Sequence, residues 1–314
     1  MFVINKKTLV ILSGIFVIVS LMMPAAGHSA ASRIGVIMPG NISYYQELHK
    51  AFMARLGKEG IAAKTEVIVQ NPYPDAISLS NAARKLIAAD VDVIVAYGAS
   101  AAVSVLQEQT KIPMVYAAAY EPFMSQVKSR NSTGITIKLS LSRLFRYLRE
   151  LTQISALAVV YSGNEEDSLF QFREVSKLAG QYGIKVAGVN LSRHQEAKAK
   201  LNGLKADALF VTGSSVAHMA LPVISEFGRE KKIPLASFLL GGDSLAIVAL
   251  STSPVEQGER AAEKAIKILE GVAPEKIRVE TAHDVDLVFN FKEAISMGWK
   301  MPMDLVTEAT RLIK

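Results

Sequence analysis

Two stretches of this chain repeat each other in order and residue type, about 120 residues apart. Residues 34–41 (IGVIMPGN) are echoed by 157–164 (LAVVYSGN), and 57–61 (GKEGI) by 180–184 (GQYGI), both at an offset of 123. Downstream, 92–102 (DVIVAYGASAA) matches 207–217 (DALFVTGSSVA) at 115, and Lys111-Ile112-Pro113 matches Lys232-Ile233-Pro234 at 121. Ordered matches at nearly one spacing mark two copies of a single supersecondary unit. Two such units predict two similar lobes with a cleft between them.

Within the copies, apolar runs rich in Val and Ile predict strands at 34–38, 65–69, 91–97 and 112–118, and again at 157–161, 185–190, 208–211 and 233–238. Continuous apolar strands are buried on both faces, which means parallel sheets covered by helices. Helices with apolar positions at steps of three and four are predicted at 44–59, 76–89, 169–182, 195–204 and 216–231. The fold class is therefore α/β, two Rossmann-like lobes with parallel sheets joined by a multi-strand hinge. Residues 133–139, ahead of a basic amphipathic helix at 142–151, carry the chain from lobe one to lobe two. A strand at 245–250, the helix-starting STSP at 251–254, a helix at 255–271, a strand at 286–290 and a short helix from Phe291 then add a piece to each lobe. This assigns 32–138 plus 252–284 to lobe one and 139–251 plus 285–314 to lobe two.

The N-terminus carries Lys6 and Lys7, then a nearly apolar run of 15 residues at 9–23, then small residues at 24–31 (PAAGHSAA). That order is a secretory signal peptide over 1–31, with cleavage expected between Gly27 and Ala31. The run is short of the about 20 residues that span a bilayer, although an uncleaved anchor is the alternative. With no cysteine the chain has neither a lipid-modifiable N-terminal Cys nor a disulfide. A soluble, monomeric protein of the periplasm is expected. Its formal charge of +6, or +4 without the two leader lysines, is spread without basic blocks or interleaved aromatics, which argues against nucleic acid.

In open parallel sheets ligands bind beyond the carboxyl ends of the strands, where helix N-termini point free N–H groups outward. The loops in question are 40–45, 98–101 and 119–123 in lobe one, and 162–168, 213–217 and 239–244 in lobe two. Gly98 and Gly213 occupy equivalent places, each followed by small polar residues opening a helix. Ser100, Ala101, Ser214 and Ser215 thus offer N–H and hydroxyl donors, with plain N-capping as the structural alternative. Asn41, Ser43, Asn164 and Ser168 sit in the paired PGN and SGN loops. Tyr44, Tyr45 and Tyr120 are aromatics in polar loops and candidates for a wall against the ligand, or else for packing between lobes. Glu121, and Asp243 in lobe two, are placed to face a cationic group or to cap a turn.

An enzyme finds little support. Gly98-Ala99-Ser100-Ala101-Ala102 resembles a nucleophile elbow, with Asp243 and His283 following in hydrolase order, but the frame recurs as Gly213-Ser214-Ser215, which one nucleophile does not need. His49, His194 and His218 lack metal-ligand spacing, and no phosphate-binding glycine loop is present, so no metal and no cofactor are expected.

The chain resembles the ABC-transporter substrate-binding proteins of the type I periplasmic-binding fold, particularly the branch with tryptophan- and tyrosine-binding members. The residues that carry the resemblance are Gly98-Ala99-Ser100, Glu121-Pro122 and Asn131-Ser132-Thr133-Gly134-Ile135 in lobe one. In the tail they are Gln257-Gly258-Glu259-Arg260-Ala261-Ala262, Ile268-Leu269-Glu270-Gly271, Phe289-Asn290, Ala294, Met297-Gly298 and Pro302. The resemblance implies a Venus-flytrap protein that closes on a small organic solute, such as an amino acid or aromatic acid, and docks on an ABC permease. A sensory protein docking on a receptor or histidine kinase is the alternative partner reading, and a serine hydrolase a remote one. Two departures bear on the ligand. The family's Asp-Pro is Glu121-Pro122 here, and the acid that often follows the third strand of lobe two is replaced by Thr212-Gly213-Ser214-Ser215. Hydroxyls do not neutralise an ammonium group, so a carboxylate, amide or small aromatic compound fits them at least as well as an amino acid.

Overall fold

The four apolar runs of the first copy become parallel strands, and a fifth joins them from the stretch expected as the hinge. The computed structural model describes residues 31–127, 129–238, 245–282 and 284–314; all but the last residue of the expected signal peptide, residues 239–244 with Asp243, and His283 lie outside the described residues. Lobe one is built from β1 (Ser32–Ile37), α1 (Ser43–Lys58), β2 (Thr65–Gln70), α2 (Ala76–Ala88), β3 (Val93–Tyr97), α3 (Ala99–Gln107), β4 (Met114–Tyr120), α4 (Glu121–Met124) and β5 (Ser132–Ile137). Lobe two follows with α5 (Leu141–Leu151), β6 (Ala156–Tyr161), α6 (Glu166–Gln181), β7 (Lys185–Asn190), α7 (Ala197–Leu201), β8 (Ala208–Val211), α8 (Ser215–Met219), α9 (Leu221–Lys231), β9 (Leu235–Phe238) and β10 (Val248–Thr252). The tail contributes α10 (Pro254–Leu269), β11 (Glu280–Thr281), β12 (Val285–Asn290), α11 (Phe291–Ser296), α12 (Met303–Glu308) and β13 (Arg311–Ile313).

The two sheets run β11-β5-β4-β3-β1-β2 and β13-β12-β10-β9-β8-β6-β7. All described pairings are parallel except β10 with β12, where the tail strand returns antiparallel, so lobe two is mixed rather than wholly parallel. Burial on both faces of the central strands explains their unbroken apolar sequences: every residue of β3, β4, β8 and β9 is buried.

The repeat acts at the level of single bonds. Asp92 accepts the Arg33 N–H at 2.7 Å where its counterpart Asp207 accepts the Ser155 N–H at 2.8 Å, so each carboxylate anchors the start of its lobe's first strand. Pro113 and Pro234 offer carbonyls to Ile94 and Leu209, each at 2.9 Å. Gly60 and Gly183 end α1 and α6 at φ +69° and +68°, and the next N–H reaches back five residues to Leu56 and Ala179. Such a left-handed turn at a helix end suits glycine because it lacks a Cβ.

Several boundaries differ from those the sequence predicts, each for a physical reason. The strand predicted at 112–118 is shifted to 114–120, because Pro113 has no N–H for the ladder and a register shift after Tyr116 adds length. At that irregularity Ala118 takes φ +56° and gives its N–H to Gln257 Oε1 at 2.7 Å. The strand predicted at 245–250 lies at 248–252, and the stretch expected as the hinge is mostly β5, inside the lobe-one sheet. The helix predicted over 216–231 is broken at Ala220, with Pro222 near the start of the second piece. Ser253 caps α10 through the Glu256 N–H, with Pro254 at its first turn as the sequence predicts.

α10 binds the tail to lobe one. A Cβ at Gly258 would collide with the Leu48 carbonyl oxygen and lie 2.9 Å from Ala51 Cβ, so α1 and α10 touch backbone to backbone. Gln257, fully buried, adds a bond from Nε2 to the Thr136 carbonyl at 3.3 Å. Gly134 plays a similar part in β5, where a Cβ would strike the Tyr116 ring. These family-like glycines are packing residues.

Candidate functional site

The ends of β1 and β3 face the loop after β6 and the start of α8 across the junction of the lobes. Between them lies a small cavity lined from lobe one by Pro39, Tyr45, Pro74, Tyr97 and residues 98–101, and from lobe two by Glu165, Asp167, Gly213 and Ser215. Its volume of about 10 Å³ is room for about one water molecule.

Five predicted loop residues, Gly98, Ser100, Ala101, Gly213 and Ser215, therefore meet at one place. Gly98 opens α3 at φ +83°, and a Cβ there would collide with the Tyr45 hydroxyl. No side chain caps α3, and Ser100 does not cap it either. Ser100 Oγ instead donates across the cleft to Asp167 Oδ1 at 3.1 Å.

Lobe two treats its copy of this turn differently. Ser214 caps α8 by accepting the Ala217 N–H at 3.0 Å, and its hydroxyl donates to Glu165 Oε2. Glu165 further accepts the Ser215 N–H at 2.7 Å and the Val216 N–H at 3.1 Å. Gly213 N–H goes to Gln171 Oε1 at 2.7 Å. Ser168 is buried, bonded to Thr212 Oγ1 at 2.8 Å and to the Ser162 N–H at 3.1 Å, and so holds the loop rather than facing the cavity.

The two carboxylates are what the sequence reading missed. Glu165 is 3% exposed and Asp167 9%. Burial, reinforced by Asp167, pushes the Glu165 carboxyl up to about 7. Burial likewise pushes Asp167 up to about 6, against the pull of its bonds from Ser100 and the backbone of Asp167 and Ser168. Tyr45 titrates well above a free phenol because it is buried and faces both acids. Among the described residues no lysine, arginine or histidine lines the cavity. Within 162–168 the signal was present as three consecutive acids, Glu165-Glu166-Asp167, in a loop already assigned to the cleft.

The remaining candidates are placed elsewhere. Tyr44 and Tyr45 are not in a polar loop but in the first turn of α1; Tyr44 is 1% exposed, and its hydroxyl pairs with Thr252 Oγ1 at 2.8 Å. Ser43 starts that helix and Asn41, exposed, accepts a bond from Gln46 Nε2. Asn164 is exposed, with its N–H on Ser162 Oγ at 3.3 Å. Glu121 begins α4 and pairs with Lys138 at 3.4 Å. Tyr120 ends β4, buried, and donates to Glu174 Oε2 of α6 at 2.9 Å. Its ring meets Phe170 edge-on at 6.3 Å and lies 6.5 Å from Phe238, while Phe123 meets Phe170 at 6.2 Å. α6 thus presents Asp167 and, one turn on, Phe170 to lobe one.

A family profile described as ABC transporter substrate binding protein matches residues 34–313. The tyrosine-binding protein of Clostridioides difficile (strain R20291) is 24% identical over 253 residues, which is 77% of this chain and 73% of the relative. Among solved structures, an ABC domain in complex with L-Trp from Streptococcus pneumonia superposes with a TM-score of 0.81 at 19% identity, covering 90% of this chain and 99% of that one. A substrate-binding protein with adhesive properties from Clostridium difficile, in its ligand-free, open form, gives 0.61 at 22% identity, with the same coverage.

Proposed function

The chain belongs to the ABC transporter substrate-binding proteins, and from that premise we propose that it captures a small organic solute bearing an ammonium group between its two lobes. The observation that carries this reading is the pair of buried carboxylates, Glu165 and Asp167, in an interlobe cavity with no cationic side chain among the described residues. A buried carboxylate without a countercharge is costly, and an ammonium group relieves that cost. The doubt that the sequence raises about an amino-acid ligand rests on Glu121-Pro122 in place of Asp-Pro and on the missing acid after β8. Glu165 and Asp167 would supply that charge from the cap and first turn of α6.

The aromatic cluster one turn along α6 favours a solute with a ring beside its ammonium. Tyr120, Phe123, Phe170 and Phe238 form an apolar surface shared by both lobes, suited to edge-on ring contacts. An aromatic amino acid combines the two features, in keeping with the tyrosine- and L-Trp-binding relatives. The cavity holds about one water, so the lobes must part to admit such a solute and then close on it, a population shift driven by contacts made to both lobes at once. Closer whole-chain agreement with the L-Trp complex than with the open structure fits lobes drawn together. The N-terminal leader and the family together support work outside the cytoplasm, delivering solute to a membrane permease, with no catalysis.

Thermal-shift screening followed by calorimetry tests the reading, using aromatic and aliphatic amino acids, the matching amines, their deamino acids and sugars. Ligand at about 100 times Kd adds about 2.7 kcal/mol, a rise in Tm of several degrees. Amine-bearing aromatics are expected to give it. Stabilisation by deamino acids or sugars and not by amines would overturn the proposal.

A further inference from the structure

The lobes differ in what they bring to the cavity. Lobe two brings both carboxylates, whereas lobe one brings the roof: Pro39, Tyr45, Pro74, Tyr97 and the start of α3. With lobe-one residues on one side of the cavity and Ser100 bonded to Asp167 across it, parting the lobes would open the two carboxyls to water. We propose that drawing the lobes together over Glu165 and Asp167 takes up protons, so that pH sets how far the protein closes before a solute arrives. This rests on the reading that the lobes open and close, and it adds a regulation of the same cleft.

The surroundings make protons the alternative to a cationic solute. Facing Glu165 and Asp167 are Tyr45 from α1, Tyr97 at the end of β3, Tyr73 after β2 and the exposed Glu166 of α6, all neutral phenols or a further acid. α3 contributes the hydroxyl of Ser100 and no ionisable group. On α8, His218 is turned to the carbonyls of Ser214 at 2.8 Å and Phe238 at 2.7 Å. Arg193 and Glu196 act on the Tyr73 hydroxyl at the rim.

The sign follows from the direction of the shifts. In the closed arrangement the Glu165 carboxyl stands at about 7 against an ordinary 4.5, and that of Asp167 at about 6 against 3.8, burial being the first cause of each; the part of that burial that lobe one supplies is gained on closing. A carboxyl that holds its proton more tightly when closed favours closure as pH falls. The effect is absent above about pH 7, grows as pH falls toward about 4, and saturates below. Each pH unit by which closing raises a carboxyl's titration is about tenfold, and the two carboxyls multiply, so even one unit each makes the closing equilibrium rise about a hundredfold across that window.

Small-angle scattering on the exhaustively dialysed protein, with no solute added, measures this between about pH 8 and pH 5. The wild type is expected to contract as pH falls. Asp167→Asn and Glu165→Gln should each be more compact at pH 8 and less responsive, and the double variant flat, with circular dichroism confirming the fold. Asn keeps an acceptor for Ser100, so Asp167→Asn decides the matter even if Glu165→Gln disturbs the start of α8. A wild-type radius that stays constant, or variants that keep the full response, overturns the proposal. Because no solute is present, failure here leaves solute capture standing. Conversely, contraction in acid with no solute ever found would sink the capture reading alone.

Discussion

Asp167→Asn separates two effects that burial of this carboxylate joins. In the closed cleft Asp167 titrates at about 6 rather than 3.8, and at about 1.36 kcal/mol per pH unit its ionisation near neutral pH opposes closure by about 3 kcal/mol. That figure is an upper bound, since the residue remains 9% exposed. Asparagine removes the penalty for every ligand alike. What it removes only for an ammonium ligand is the charge pair, and truncating one partner of a buried charge pair costs about 2–5 kcal/mol. The ratio of affinities for two ligands that differ only in the amine therefore cancels the common closing term. Calorimetry with L-tryptophan and its deamino counterpart, indole-3-propionate, at pH 7.5 reads that ratio. The preference for tryptophan should fall by about 30-fold to several thousandfold, while the deamino ligand binds up to about 100-fold more tightly than to wild type. Equal changes for the two ligands would refute an ammonium beside Asp167.

Four further outcomes follow from the packing and charges described. Gly258→Ala forces α1 and α10 apart at the Leu48 carbonyl and should cost about 1–3 kcal/mol or more, read as a Tm lower by several degrees. Gln257→Ala leaves the Ala118 N–H buried without its acceptor and should cost about 1–3 kcal/mol in denaturant unfolding, with the slope unchanged. Tyr120→Phe removes the bond to Glu174 while keeping the ring, and should weaken closure on solute by about 1 kcal/mol, measured as affinity. Glu308 is held down to about 2 by Arg146, with help from Tyr147, so its contribution is present above pH 4.5 and lost as pH falls toward 2. NMR titration should place it there and should return it toward the usual carboxylate range in Arg146→Gln.

The architecture was legible because duplication wrote it twice. Asp92 and Asp207, Pro113 and Pro234, and Gly60 and Gly183 stand at matching places in the sequence and perform matching bonds in the two lobes. The cleft loops were legible for the same reason, since strand ends locate them. The chemistry inside the cleft was less so. Three consecutive acids at the start of a helix are commonplace, because they complement the N-terminal end of the helix dipole, and only the meeting of the lobes turns Asp167 toward Ser100. Tyr44 and Tyr45 show the opposite error. Adjacent residues on a helix point about 100° apart, so the first enters the core against Thr252 while the second reaches the cavity, a distinction that a loop assignment hides.

The two copies diverge where a ligand would tell them apart. In lobe two the turn after β8 is closed by the chain itself: Ser214 caps the helix and Glu165 takes the hydroxyl and two N–H groups. In lobe one the equivalent turn at Gly98 has no side-chain cap and opens on the cavity. One lobe thus presents donors and the other carboxylates. Symmetric lobes would receive a solute in either sense, whereas on the proposed reading this pair would give a zwitterion one favourable orientation, its acid toward α3 and its amine toward Glu165 and Asp167. Duplication made the cleft, and the residues that the copies do not share give it direction.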